Sequence, residues 1–284
     1  MLIRVSLALI VSALLITGMF FSSAQNSLNA PLNLGSELRV FEVRQGDGLI
    51  RVLNALESEA LVESATKIRV GLGLRSKSLV VKRGEYQLVE GESVLELLER
   101  MDRNDVILYP ITIPEGVTFR WFLTALWEHP QLARVLDDPQ DKRLLSLIQP
   151  YASPEGLFLP ETYLIQRGDT DLDVLTRARR AMQDALAAAW EARARTLELN
   201  GPYEALILAS IVEKETGVPN ERPEIAGVFS RRLAQGMRLQ TDPTVIYGLG
   251  SDFDGNLTRR HFVERANCST PSPDRGFPPM PLHP

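Results

Sequence analysis

Ala209-Ser210-Ile211-Val212-Glu213-Lys214-Glu215-Thr216 closes a run, residues 205–212, that is apolar at every position but Ser210. Continuous apolarity predicts a helix over residues 203–216 that is buried on most of its circumference. Two carboxylates stand at its end. An ionised carboxylate in apolar surroundings is costly, and such a group tends to keep a proton near neutral pH, as a general acid must. On a helix Glu213 shares a face with Leu206, Ala209 and Ser210, whereas Glu215 lies over Leu208, Ile211 and Val212. Small neighbours leave room for a ligand and bulky ones make a packed wall. Glu213 is therefore the candidate catalytic group and Glu215 a supporting one; a charged, solvated helix end is the plain alternative.

Downstream lies Leu239-Gln240-Thr241-Asp242-Pro243-Thr244-Val245-Ile246-Tyr247-Gly248, dense in polar side chains. Asp242-Pro243 reads as a helix N-cap followed by Pro at the first helical position. The functional reading has Gln240, Asp242, Thr244 and Tyr247 line a sugar cleft. Arg222 precedes the helix expected over residues 223–235, where it can pair with Glu215, contact substrate or form a surface ion pair. Glu155 and Glu161 sit in a segment, residues 153–163, broken by Pro and Gly, where polar groups often serve function. Two carboxylates suit a glycosidase of either stereochemical outcome. One carboxyl group can also protonate the leaving glycosidic oxygen and then take the proton of a hydroxyl on the same sugar, closing an intramolecular ether without a positioned water.

The chain of 284 residues suits about two domains. A net charge of -5 and a pI near 5.4 argue against nucleic acid as a partner. Cys268 is the sole cysteine, so no intrachain disulfide forms, and His129, His261 and His283 lack metal-ligand spacing. No metal or organic cofactor is expected. Residues 5–21 carry no charge and follow Arg4, which reads as a membrane span with its N-terminus in the cytoplasm or as a cleaved signal peptide. Either way the rest of the chain leaves the cytoplasm. Residues 25–36, rich in Asn, Ser, Pro and Gly, read as a linker.

Residues 38–43 alternate as a strand does, Asp47 is placed to cap a helix over 48–61, and a second helix covers 63–71. Residues 79–88 read as a long strand or strand pair broken at Gly84. Ser93 and Glu96 form a capping box for a helix ending near Met101. Residues 106–113 form a strand, 118–128 an amphipathic helix and 171–197 a long Ala- and Arg-rich helix. The fold class is α+β.

At the quoted motifs the chain resembles the MltG/YceG-like endolytic peptidoglycan transglycosylases. The resemblance is carried by Ala209 to Thr216, by Glu221-Arg222-Pro223, by Gly236-Met237-Arg238-Leu239-Gln240 and by Thr241 to Gly248. It is carried more weakly by Thr112-Ile113-Pro114-Glu115-Gly116 and by residues 155–163. The region 37–105, with Val43-Arg44-Gln45-Gly46-Asp47, is similar to the family's LysM-like βααβ domain, and 106–284 to its catalytic domain. The resemblance implies a single-pass inner-membrane protein, anchored in the lipid bilayer by residues 1–24 with its C-terminal part periplasmic. It implies cleavage of nascent peptidoglycan strands between N-acetylmuramic acid and N-acetylglucosamine to leave 1,6-anhydro ends. It implies action beside cell-wall synthesis proteins as a terminator of strand elongation, with Glu213 as the acid/base. Residues 267–272 depart from the family pattern ahead of Arg275-Gly276-Phe277-Pro278-Pro279, which gives the catalytic region a truncated look. Two alternatives stay open: a hydrolytic muramidase, and a non-catalytic glycan-binding or scaffolding protein.

Overall fold

A computed structural model describes residues 2–35, 39–75, 78–197, 199–237, 239, 241–249 and 254–258. The chain divides into two compact units, Met1–Tyr109 with Gln166–Gly168, and Pro110–Ile165 with Asp169–Pro284. Together they make a mixed α and β protein.

The first unit runs α1 (Leu2–Asn29), β1 (Val40–Val43), α2 (Leu49–Ser58), α3 (Ala65–Gly73), β2 (Gly84–Gln87) and α4 (Val94–Arg103). β1 and β2 pair antiparallel, with Val40 opposite Gln87 and Val43 opposite Gly84. Alternation drives Phe41, Val43 and Tyr86 inward onto Leu53, Leu56, Ile68, Leu97 and Met101. The box expected at α4 forms: the Ser93 amide donates to Glu96 Oε2 at 2.8 Å, and the Glu96 amide to Ser93 Oγ at 3.3 Å. Gly84 has φ 139, and a Cβ there would lie 2.5 Å from Val106 Cγ1, so only glycine fits.

Three expectations change in this unit. The N-cap of α2 is Gly48, because Asp47 turns back to accept the Arg44 amide at 3.0 Å and the Arg51 guanidinium at 2.8 Å. Residues 79–88 supply only the four-residue β2. The segment read as a linker from residue 25 is helical as far as Asn29. Ala24, Leu28, Leu32 and Leu34 are buried, and the Leu32 amide donates to the Glu92 carbonyl at 2.8 Å. α1 crosses α3 where Gly71 has no side chain; a Cβ there would sit 2.7 Å from the Ala24 carbonyl oxygen. Among the described residues no helix is long and apolar enough to cross a membrane. The outer part of α1 nevertheless exposes Leu14, Leu15, Ile16, Met19, Phe20 and Phe21.

The second unit holds β3 (Tyr109–Thr112) from its second residue on, paired with β4 (Thr162–Ile165), then α5 (Phe119–Trp127), α6 (Lys142–Leu147), α7 (Asp171–Ala192), α8 (Pro202–Glu215), α9 (Arg222–Ala234) and α10 (Asp242–Leu249). Thr118 caps α5, and Thr170 with Asp173 forms a capping box on α7. Phe119, Phe122, Phe158 and Tyr163 pack together, two pairs stacked and Phe122 edge-on to Phe158, with ring centroids 5.2–6.4 Å apart. Asp171 is fully buried in the first turn of α7. Its carboxylate accepts from the amides of Val135, Leu136 and Leu172 and from the Trp127 indole at 2.8–3.1 Å. A second apolar cluster joins α8 and α9 through Ile207, Leu208, Ile211, Val212 and Phe229, with Leu239 completing it.

Candidate active site

Gly201 and Pro202 start α8, where proline costs nothing because the first helical amides have no partner. Leu206, Ile207, Leu208, Ile211 and Val212 are all buried, so the helix is held on several sides as its apolar run predicts. The helix stops at Thr216, which is extended. The Thr216 hydroxyl donates to Glu221 Oε2 at 2.7 Å and accepts the Val218 amide at 3.0 Å. That turn, with the 3₁₀ segment Pro219–Glu221, returns the chain so that Arg222, the first residue of α9, comes back beside the end of α8.

Glu213 is buried, with its side chain 6% exposed. Arg222 Nη2 lies 3.1 Å from its Oε2 and 3.3 Å from its Oε1. The carboxyl group thus lies between the apolar side chains of the helix face and a guanidinium. The sequence had allowed Arg222 to pair with Glu215; the structure gives the partnership to Glu213 instead. Glu215 is exposed, not set in a packed wall, and accepts the Thr241 hydroxyl at 2.8 Å. Lys214, on the other side of the helix end, donates to the Gly116 carbonyl at 2.9 Å.

A cavity of about 440 Å³ opens along this face of α8, a size that suits a small ligand. Its walls are Ala205, Leu208, Ala209, Val212 and Glu213 at helical spacing, Arg222, Pro223, Ala226 and Ser230 from α9, and Leu197 and Leu199. Among the described residues, Glu213 and Arg222 are the two charged groups that line it. Ala209 faces outward onto it, in keeping with the small-residue reading. Ser210 does not line it: the hydroxyl is buried and donates to the Ile207 carbonyl at 2.6 Å.

The other expected residues part company here. Thr244 is buried and returns its hydroxyl to the Thr241 carbonyl at 2.8 Å; it is not part of the cavity wall. Asp242 is the first residue of α10 and is exposed. Tyr247 is on α10, but its side chain lies outside the described residues, as does Gln240 entirely. Residues 261–284, including the departure at 267–272, also lie outside them. Glu155 is absent from this cavity's lining. It accepts the Phe119 amide at 2.9 Å at the start of α5, beside a separate space of about 20 Å³, and burial pushes its carboxyl up. Thr241 was not singled out from the sequence; its position one residue before Asp242 gave no hint that it fixes Glu215 and seats α10 against α8. Among the described residues no cluster of three or more His, Cys, Asp or Glu side chains could hold a metal ion.

Known proteins resemble the chain as follows. The model of the YceG-like family matches residues 41–283. An endolytic murein transglycosylase of Bacillus subtilis strain 168 is 32% identical over 100 residues, covering 35% of this chain and 28% of that protein. An endolytic murein transglycosylase of Streptococcus pneumoniae serotype 2 strain D39 is 28% identical over 200 residues, covering 60% of this chain and 36% of that protein. The alignments thus span about a third of the length of these curated relatives. A solved yceG-like protein from Listeria monocytogenes aligns over 88% of this chain and 87% of its own, with 24% identity and a TM-score of 0.45.

Proposed function

The chain belongs to the YceG-like family, and from that premise we propose that it is an endolytic murein transglycosylase with Glu213 as its acid/base. The observation that carries this reading is a buried carboxyl group, paired to a guanidinium, on the wall of a largely apolar cavity of about 440 Å³. The curated relatives bearing that activity in their names support it.

In this mechanism Glu213, in its protonated form, donates to the oxygen that links N-acetylmuramic acid to N-acetylglucosamine. The bond from the muramyl C1 to that oxygen breaks, and the oxygen leaves as a hydroxyl. The 6-hydroxyl of the same muramyl residue attacks C1, and its proton goes to the Glu213 carboxylate. The product ends in a 1,6-anhydro ring, and Glu213 is returned as it began. Water is not consumed, and one carboxyl serves both steps because the nucleophile is tethered to the reacting carbon. Glu215, held by Thr241, keeps the end of α8 and the start of α10 together and acts as a supporting group.

The wider setting belongs to the same proposal. The charge-free stretch 5–21 and the exposed apolar side chains of α1 support attachment to the inner membrane, with the remainder in the periplasm. The order β1, α2, α3, β2 supports a LysM-like unit. Termination of nascent strands beside cell-wall synthesis proteins is the role that fits such an enzyme.

The test is a digest of uncrosslinked glycan by the full chain, read by mass spectrometry. Ends carrying the anhydro ring are expected. Ends carrying an added water make the protein a muramidase, and binding without cleavage makes it a glycan-binding protein.

A further inference from the structure

Glu213 and Arg222 neutralise each other across 3.1 Å inside the cavity. A carboxyl group that gives up a proton must first hold one, yet a guanidinium in contact stabilises the carboxylate. The pair seen here is therefore a resting arrangement that has to loosen before chemistry. The two partners differ in access. The Arg222 side chain is 28% exposed and that of Glu213 6%. The cation is therefore the more accessible of the two to an incoming ligand. Arginine also offers a planar fork of donors that matches a second carboxylate as well as the first.

Among the described residues, most of the neighbouring charged groups are engaged elsewhere. On α8, Lys214 is bonded to the Gly116 carbonyl and Glu215 to Thr241. In the turn before α9, Glu221 is bonded to Thr216, and on α9 Arg232 is bonded to the Leu239 carbonyl. On α7, which packs against α8, Arg177 pairs with Asp169 and Arg179 lies over the Tyr151 ring. Asp242 at the start of α10 is exposed. Among the described residues, Arg222 is a cation in contact with Glu213.

We propose that Arg222 is a counter-ion shared between Glu213 and the ligand: a carboxylate on an acidic glycan draws the guanidinium from Glu213, which then takes up a proton. Binding of an acidic substrate would arm the acid, and a neutral oligosaccharide would leave it unarmed. Arg222 is thus a positioning residue that confers preference for anionic glycans. This rests on the reading of the cavity as the glycan site. The carboxylate can come from the lactyl group of a peptide-free muramyl residue or from the attached peptide.

The experiment is a stopped-flow measurement on the full chain near neutral pH, with a pH indicator in weak buffer, read before turnover. Three probes are mixed in: uncrosslinked glycan with its peptides, the same glycan stripped of peptides, and a neutral chitin oligosaccharide of equal length. Proton uptake is expected with at least one acidic glycan and not with the neutral one; which acidic probe triggers it identifies the carboxylate. Glu213→Gln should abolish the uptake. Arg222→Gln should abolish it too and weaken acidic-glycan binding by about tenfold or more relative to its effect on the neutral probe, as expected for a lost charged hydrogen bond. Arg222→Lys should retain uptake. Should Arg222→Gln fail to fold, the parent and Glu213→Gln traces still decide. Absence of uptake in the parent, equal uptake with the neutral probe, or equal weakening of both ligands by Arg222→Gln overturns the inference. Anhydro products without proton uptake would sink this inference alone; neither binding nor anhydro products would sink the proposed function with it.

Discussion

Replacing Asp171 by Ala should destabilise the second unit severely. The carboxylate is fully buried and takes four hydrogen bonds, from the Val135, Leu136 and Leu172 amides and the Trp127 indole. Each bond to a charged acceptor is worth about 1.5–3 kcal/mol, so the plain sum would be about 6–12 kcal/mol. That sum is too large. Three of the four contacts are only half-buried, so water can reach those donors in the variant, and removing a buried charge recovers desolvation energy. The Leu136 amide is buried and would be orphaned. About 3–5 kcal/mol is the expected net loss, roughly a fifth or more of the ordinary stability of a domain. Urea unfolding followed by tryptophan fluorescence reads it directly, because Trp127 reports on its own lost partner. Asp171→Asn, which keeps one acceptor oxygen, should fall between. A loss for Asp171→Ala below about 1 kcal/mol, the level of a routine substitution, would refute the reasoning.

Three further outcomes follow from the same structure. Burial pushes the Glu155 carboxyl up from the ordinary 4.5, with the Phe119 hydrogen bond opposing it. The folded state then binds this proton more tightly than the unfolded one, so the contribution is favourable at low pH and is lost as pH rises from about 4.5 through the raised value. Glu155→Gln should flatten that decline in a series of thermal melts; parallel curves for parent and variant would contradict it. Gly71→Val would bring a Cβ to 2.7 Å from the Ala24 backbone oxygen and 2.8 Å from Leu28 Cδ1. The expected cost is about 1–3 kcal/mol, seen as faster proteolysis around residues 24–32, and unchanged protection would argue against the α1–α3 packing. Ala209→Leu should leave stability nearly intact, since Ala209 is exposed. It should weaken glycan binding by about tenfold or more, at least about 1.4 kcal/mol, and unaltered affinity would remove the cavity as the ligand site.

Much of this was legible in the sequence where one local rule dominated. The apolar run of α8, the Ser93–Glu96 box and the amphipathic stripe of α5 each speak for themselves. The assignment failed where partners are distant. Polar Asn, Ser and Gln hid the buried Ala24 and Leu28, one helical turn apart, so the end of α1 read as a linker. β4 follows Pro154, Gly156 and Pro160 so closely that its four residues had no pattern of their own. The short α6 was missed for the same reason. At the site, the sequence offered Arg222 a pairing with Glu215, a substrate contact or a surface ion pair, and not the Glu213 contact that the structure shows. The hydroxyl-braced turn at Thr216, and the capture of Glu215 by Thr241, decide for Glu213. Thr244 looked like a cleft residue because its hydroxyl is polar; its own turn uses that hydroxyl.

The most direct measurement is the rate at which Glu213→Gln converts uncrosslinked glycan to anhydro-ended products, set beside its glycan affinity and thermal midpoint. A fall of roughly 10²–10⁴-fold in rate, with affinity and midpoint close to those of the parent, is the expected result. Cleavage at the parental rate would mean that the proton comes from another group, and the role given to Glu213 would be wrong.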